Sequence, residues 1–292
     1  MTVSVRRSTC SSSKVLLGLI LTLVPATLCL GQSPSPRVRV HLSRHTPEPV
    51  PVTVTYVSNA GFLITVGDKK ILIDALYSLS NYDPPLDAQR RMTLAQPPFD
   101  GVDLVLATHN HSDHFDASMV RLHLSNNPRA IFGSTSQATA SLSDLSARVV
   151  TFEAATGVSM VRNIAGMNVE AIYLSHGRFP EGQVEIVNYG FVVTVNGVTF
   201  FHTGDVDYDN LDYDVFRGYN LSEKKIDLAF IHHYYLESGS TYQRFVRDGI
   251  GGKYIIPMHL GGLPRPDFEA ILLTYPGAVV FSQSLQTWTM PR

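Results

Sequence analysis

The sequence predicts an α+β fold in which two packed β-sheets carry helices on their outer faces. Three observations lead there: many short apolar runs with β-type alternation, turn dipeptides between consecutive runs, and helical stretches interleaved with the later runs. The first runs are Val52–Val57, Phe62–Val66 and Ile71–Ile73, the last two joined by Gly67-Asp68, a hairpin signal, with Asp74 where the third strand ends. Ala75 to Asp100 is a long connection with two Pro-Pro pairs and a short helix expected over Leu86–Ala95; excursions of this length often serve as lids. Val102–Ala107 is a continuous apolar strand, and Ala117–Leu124 reads as a helix.

Further on come Ala130–Phe132, a helical stretch over Thr135–Leu142, and strands at Arg148–Phe152, Val158–Val161 and Val169–Leu174. Tyr189–Val195 and Val198–His202 form a hairpin over Asn196-Gly197, a strong turn dipeptide. Ile226–Ile231, Tyr254–Ile256 and Ala278–Phe281 complete the expected strands, with helical segments near Tyr242–Val246 and Pro266–Leu273. There is no internal repeat.

The amino-terminal residues read as an export signal. Arg6, Arg7 and Lys14 precede the apolar stretch Val15 to Leu30, which is shorter than the ~20 residues of a spanning helix and is broken by Pro25. Cleavage after Gly31 is expected, which favours a soluble chain, periplasmic or secreted, without stable membrane insertion. Leu28 disfavours lipidation at Cys29, and the residues after Arg6-Arg7 do not follow the twin-arginine pattern. Residues 32–51, rich in Pro and Ser, read as a flexible linker, and residues 52–292 as the folded domain. Both cysteines, Cys10 and Cys29, fall in the leader, so disulfides and thiolate ligation drop out together. A domain of about 240 residues can rest on burial alone. With 23 basic against 25 acidic residues and no cationic helix face, nucleic acid is excluded as a partner and a small-molecule substrate is expected.

The chemistry is concentrated in His109-Asn-His-Ser-Asp-His114, which packs four candidate metal ligands into one loop after an apolar strand. Three imidazoles and a carboxylate this close would each need a buried partner, and a bound dication satisfies them together. Other ligand types stand at other strand ends: His176, Asp205 after Thr203-Gly204, and His259 after Ile256-Pro-Met258. His202, His232 and His233 could lie near such a site or simply be satisfied histidines, whereas His41, His45 and His123 read as bystanders. The acidic stretch holding Asp207, Asp209, Asp212 and Asp214 lacks the glycine and terminal glutamate of a calcium loop and reads as a solvated loop.

This set, in this order from Val52 to about Phe281, resembles the metallo-β-lactamase fold superfamily of metal-dependent hydrolases. The resemblance implies a four-layer αββα sandwich with the site at one edge between the sheets. It implies two ions, zinc or else iron or manganese, one held by His109, His111 and His176 and the other by Asp113, His114 and His259, with Asp205 bridging. Two such ions share a water whose pKa falls towards ~7, and a bridging hydroxide is the expected nucleophile. Asp113 is expected to orient it or to shuttle a proton. Asp74 is expected to lie behind the metals against the His loop, with a simple turn cap as the competing reading. The Thr-Gly-Asp and Ile-Pro-Met-His contexts look most like the UlaG-like lactonase and phosphodiesterase group, with an aspartate where true β-lactamases generally lack the bridging carboxylate. Phosphodiester, lactone or thioester cleavage is therefore expected over β-lactam cleavage, a scaffold without activity being the alternative. Tyr208, Tyr213, Tyr234, Tyr235 and the Tyr77–Phe99 connection could wall an apolar pocket.

Overall fold

The computed structural model describes residues 50–79, 84–177, 183–237, 241–261 and 265–291. The leader and all but the last two residues of the linker, together with His41 and His45, lie outside them. No helix among the described residues is long and apolar enough to cross a membrane.

Alternating β-branched residues build the first hairpins, β1 (Val52–Ser58), β2 (Gly61–Val66) and β3 (Lys69–Ile73). After helix α1 (Leu86–Thr93) come β4 (Leu104–Leu106), α2 (Ala117–Asn126) and β5 (Ile131–Thr135). A short α3 (Ser136–Thr139) continues as 3-10 turns into β6 (Val149–Phe152). The second half holds β7 (Met160–Ile164), β8 (Met167–Tyr173), β9 (Tyr189–Val195), β10 (Val198–His202), α4 (Tyr213–Gly218), β11 (Leu228–His232), α5 (His233–Glu237), β12 (Tyr254–Met258), α6 (Phe268–Thr274) and β13 (Thr287–Thr289).

The strands form two sheets, ordered β13-β1-β2-β3-β4-β5-β6 and β12-β11-β10-β9-β8-β7. Phe62, Ile64 and Ile73 of the first sheet pack on Phe191, Phe200 and Phe230 of the second in a shared inner core. A separate apolar cluster joins the outer face of the first sheet to α1 and α2, through Leu72, Val105, Met92 and Val120. Another joins the second sheet to α4, α5 and α6, through Phe201, Ile231, Phe216, Leu236 and Ile271. Helices, sheet, sheet and helices are the four layers expected.

Within the sheets β3-β4-β5-β6 and β10-β11-β12 pair in parallel, so the carboxyl ends of β3, β4, β10, β11 and β12 gather the loops that carry chemistry. Several expected elements differ. Ala278–Phe281 is not a strand: Val279 makes one backbone bond to Ile255 and Phe281 plugs the core, while the short Thr287–Thr289 pairs with β1 instead. The helix expected over Tyr242–Val246 is a π-helical turn, Arg244–Ile250, closed by Gly251 at φ +67°. The strand expected at Val158–Val161 is shifted to β7, where it pairs with β8. Part of the acidic stretch is helical, because the Asp212 carboxylate accepts from Asp214 N and Val215 N and caps α4.

Candidate metal centre

Strand β4 ends at Leu106, and the loop behind it is tied down by Asp116, whose carboxylate caps α2 by accepting from Ser118 N and Met119 N. This turn brings His109 and His111 together with His176, which follows β8, so that their ligand atoms lie within 4.8 Å of one another. Asp113 and His114 from the same loop meet Asp205 and His259 in a second group of equal tightness. All seven residues named from the sequence therefore converge. Asp205 touches both groups: its carboxylate lies 3.8 Å from His176 Nε2, 3.3 Å from His114 Nε2 and 3.1 Å from His259 Nε2. His259 Nε2 is also 3.2 Å from Asp113 Oδ2.

His109 and His114 are buried, whereas Asp113, His176, Asp205 and His259 keep 15–18% of their side-chain surface, so the centre opens on their side. Nε2 of His109 and of His176 is buried with no hydrogen-bond partner among the described residues. Two orphaned imidazole nitrogens facing the same space as two carboxylates fit a divalent cation and little else.

Charge explains how the cluster persists. Burial opposes ionisation of His114, but Asp205 and Asp74 outweigh it and hold His114 well above the usual histidine range. Burial likewise opposes charge on Asp205, yet His114 and His259 hold it well below the usual carboxylate range. His259 is pushed up to about 9 against its own burial, chiefly by Asp205 and Asp113. His109 goes the other way, lowered by burial and by the neighbouring His114.

Behind the ligands stands a layer of fixed partners. Asp74, buried at the end of β3, accepts from Thr108 N at 2.7 Å, from Thr108 Oγ1 at 2.7 Å and from His114 Nδ1 at 2.8 Å. Thr108 Oγ1, its proton committed to Asp74, lies 3.1 Å from His109 Nδ1 and accepts from it. Nδ1 of both imidazoles is thus engaged as a donor, and Nε2 is the atom aimed into the centre. Asp74 is no mere turn cap.

A family model, the beta-lactamase superfamily domain, matches residues 53–259. The chain belongs to the beta-lactamase superfamily. A UPF0173 metal-dependent hydrolase of Cupriavidus necator is 23% identical over 262 residues, covering 86% of this chain and 87% of the relative. Another from Pyrococcus furiosus is 28% identical over 220 residues, 72% of this chain and 85% of that one. Among solved structures, the metallo hydrolase Igni18 of Ignicoccus hospitalis aligns with a TM-score of 0.60 at 18% identity, over 83% of this chain and 99% of that one. This superfamily member accordingly has the metallo-β-lactamase fold.

The remaining histidines of this beta-lactamase superfamily chain sort by their contacts. His202 is a satisfied core histidine: Nε2 donates to Ala60 O at 2.9 Å and Nδ1 accepts from Gly204 N at 3.2 Å. His123 sits in α2 and donates Nδ1 to Met92 O at 2.6 Å, away from the centre. His233 pairs with Glu237 at 2.5 Å, while His232 stacks on His259 with ring centroids 4.5 Å apart. Burial, with His259 adding, pushes His232 down to about 3, so its ring is neutral. Of the tyrosines expected to wall a pocket, Tyr77 is buried, and Tyr208 and Tyr235 are buried against each other with centroids 4.5 Å apart, whereas Tyr234 is exposed.

Two asparagines escaped the sequence reading. Asn59, in the β1–β2 turn at φ +48°, donates Nδ2 to Asp113 Oδ2 and accepts from Gly261 N, clasping the loops on either side. Asn188 donates Nδ2 to Leu174 O and Thr203 O and accepts from Asp205 N, so it ties the approach to His176 to the Asp205 turn. An Asn two residues before Gly61 signals a turn, but no local pattern announces a partner 54 residues away.

Proposed function

We propose that the chain is an exported hydrolase that holds two divalent ions, zinc by its donor set, and cleaves an ester-type bond, a phosphodiester, lactone or thioester, in a small-molecule substrate. The observation that carries the reading is Asp205, whose one carboxylate reaches His176 of the three-histidine group and both His114 and His259 of the other. When bound, two such ions supply Lewis acidity and lower the pKa of a shared water towards ~7. His109, His111 and His176 would hold one ion, Asp113, His114 and His259 the other, with Asp205 shared between them. Imidazole and carboxylate donors suit zinc, and iron or manganese would satisfy them too.

Asp113 orients the attacking water and carries its proton, held for that task by Asn59 Nδ2 at 3.2 Å. Asp74 and Thr108 hold Nδ1 of His114 and His109 as donors, leaving Nε2 of each as the atom that would ligate. The shared carboxylate at Asp205 favours the lactonase and phosphodiesterase branch over β-lactam cleavage. Export rests on the charge and hydropathy pattern of residues 1–31.

Metal analysis of the purified protein together with assays on a phosphodiester, a lactone, a thioester and a β-lactam tests this reading. Close to two ions per chain and turnover of an ester, abolished in His109→Ala without unfolding, are expected. A folded protein with no metal would favour the scaffold alternative, and turnover of the β-lactam alone would refute the substrate class.

A further inference from the structure

One feature of the edge is unused by the ligand set: a column of imidazoles that runs outward from it. His114 and His259 lie with ring centroids 5.5 Å apart at 30°, His259 and His232 at 4.5 Å and 18°, and His232 and His233 at 5.1 Å and 23°. The outer end is anchored, since Glu237 Oε1 takes both His233 Nδ1 at 2.5 Å and Asp267 N at 2.9 Å, binding α5 to the start of α6.

Within this column the protonation of His232 is decided by geometry. Its Nδ1 accepts a hydrogen bond from the backbone N–H of Tyr234 at 3.2 Å, and a backbone amide can only donate. The ring is therefore neutral with its proton on Nε2. Nothing among the described residues bonds that Nε2, although the side chain is only half-buried and stands beside the open side of the centre, where His259, Asp113 and Asp205 retain their exposure. A donor with its tautomer fixed and no partner among the described residues, stacked on His259 of the centre, can stabilise negative charge developing on a substrate oxygen.

We propose that His232 is a further catalytic residue, its Nε2–H donating a hydrogen bond to the substrate oxygen that gains negative charge as the bond breaks. The imidazole keeps its proton throughout and forms no covalent bond. His233 and Glu237 are positioning residues that hold the stack. The proposal rests on the ester-type reading for the identity of that oxygen.

Inorganic phosphate, a tetrahedral anion, serves as the probe, with its affinity for the zinc-loaded protein measured by calorimetry alongside zinc content. His232→Phe keeps a flat ring against His259 but removes the donor, and His232→Gln restores an N–H. Expected are about tenfold weaker phosphate binding in the Phe variant, as one hydrogen bond to a charged group warrants, binding in the Gln variant within about threefold of wild type, and unchanged zinc in both. For any ester the wild type cleaves, kcat falls in the Phe variant with KM little altered. Equal phosphate affinity in wild type and the Phe variant would overturn the proposal. Loss of zinc from the Phe variant would also overturn it, because His232 would then act by holding His259. If no ester is cleaved while phosphate binding still depends on the donor, the role of His232 stands and the ester reading fails.

Discussion

Asn59 Nδ2 lies 3.2 Å from Asp113 Oδ2 and 3.3 Å from the Asp113 carbonyl, so a turn in the first hairpin holds a carboxylate of the metal centre in place. The same side chain accepts from Gly261 N, two residues past His259. Replacing Asn59 by Gly removes the amide while tolerating the φ of +48°. Metal affinity in that variant, titrated against a competing chelator, should fall by about 10–100-fold, the usual cost of losing a partner behind a ligand. Affinity equal to wild type would show that Asp113 is held by other means.

Gly204 is required on two counts. Its φ is +58°, and a Cβ there would come within 2.1 Å of Asn188 Oδ1 and 2.8 Å of the Thr108 Cβ. Asn188 and Thr108 are both committed to the centre, so neither can move without disturbing Asp205 or His109. Gly204→Ala should cost about 3 kcal/mol or more by urea denaturation and should weaken metal binding as well. A loss under about 1 kcal/mol would mean the turn has room to rearrange.

The parts of the site legible in the sequence are those whose signal is local. His109 to His114 crowd too many ligands into one loop to serve structure, and His176, Asp205 and His259 each end an apolar run. Asn59 and Asn188 were not legible because what matters is their partner across the sandwich, set by how the two sheets face each other. In the fold, alternation located the hairpins well. It failed at Thr287–Thr289, too short to show a period, and at Arg244–Ile250, where Phe245 and Val246 are buried by tertiary packing in a π-turn that no propensity favours.

His123 gives a stability test remote from the metals. Burial lowers its pKa below the usual histidine range, while its bond to Met92 O pulls the other way. In the unfolded chain the ring takes a proton as the pH drops through about 6.5, which the folded ring resists. The unfolded state then binds more protons, so the contribution of His123 is fully present above about pH 6.5 and is lost as the pH falls towards the folded value. His123→Asn should be less stable than wild type at pH 8, and the gap should narrow steadily by pH 5. A gap that widens on acidification would mean that His123 is charged in the folded protein.

Metal loading should displace protons from the centre, with a sign fixed by its charges. Without metal, His114 is held well above the usual range by Asp205 and Asp74 and His259 is pushed up to about 9, so both carry protons at pH 7. Ligation requires Nε2 of each to be bare, hence loading both groups at pH 7 should release about two protons from these residues, besides any from bound water. Affinity should then climb as the pH rises through about 9, where His259 ceases to need a proton removed, with His114 adding to the slope in the same direction. Calorimetric titrations with zinc in buffers of different ionisation enthalpy count the protons directly. His259→Ala should release about one fewer, and an unchanged count in that variant would show that His259 is already neutral in the metal-free protein.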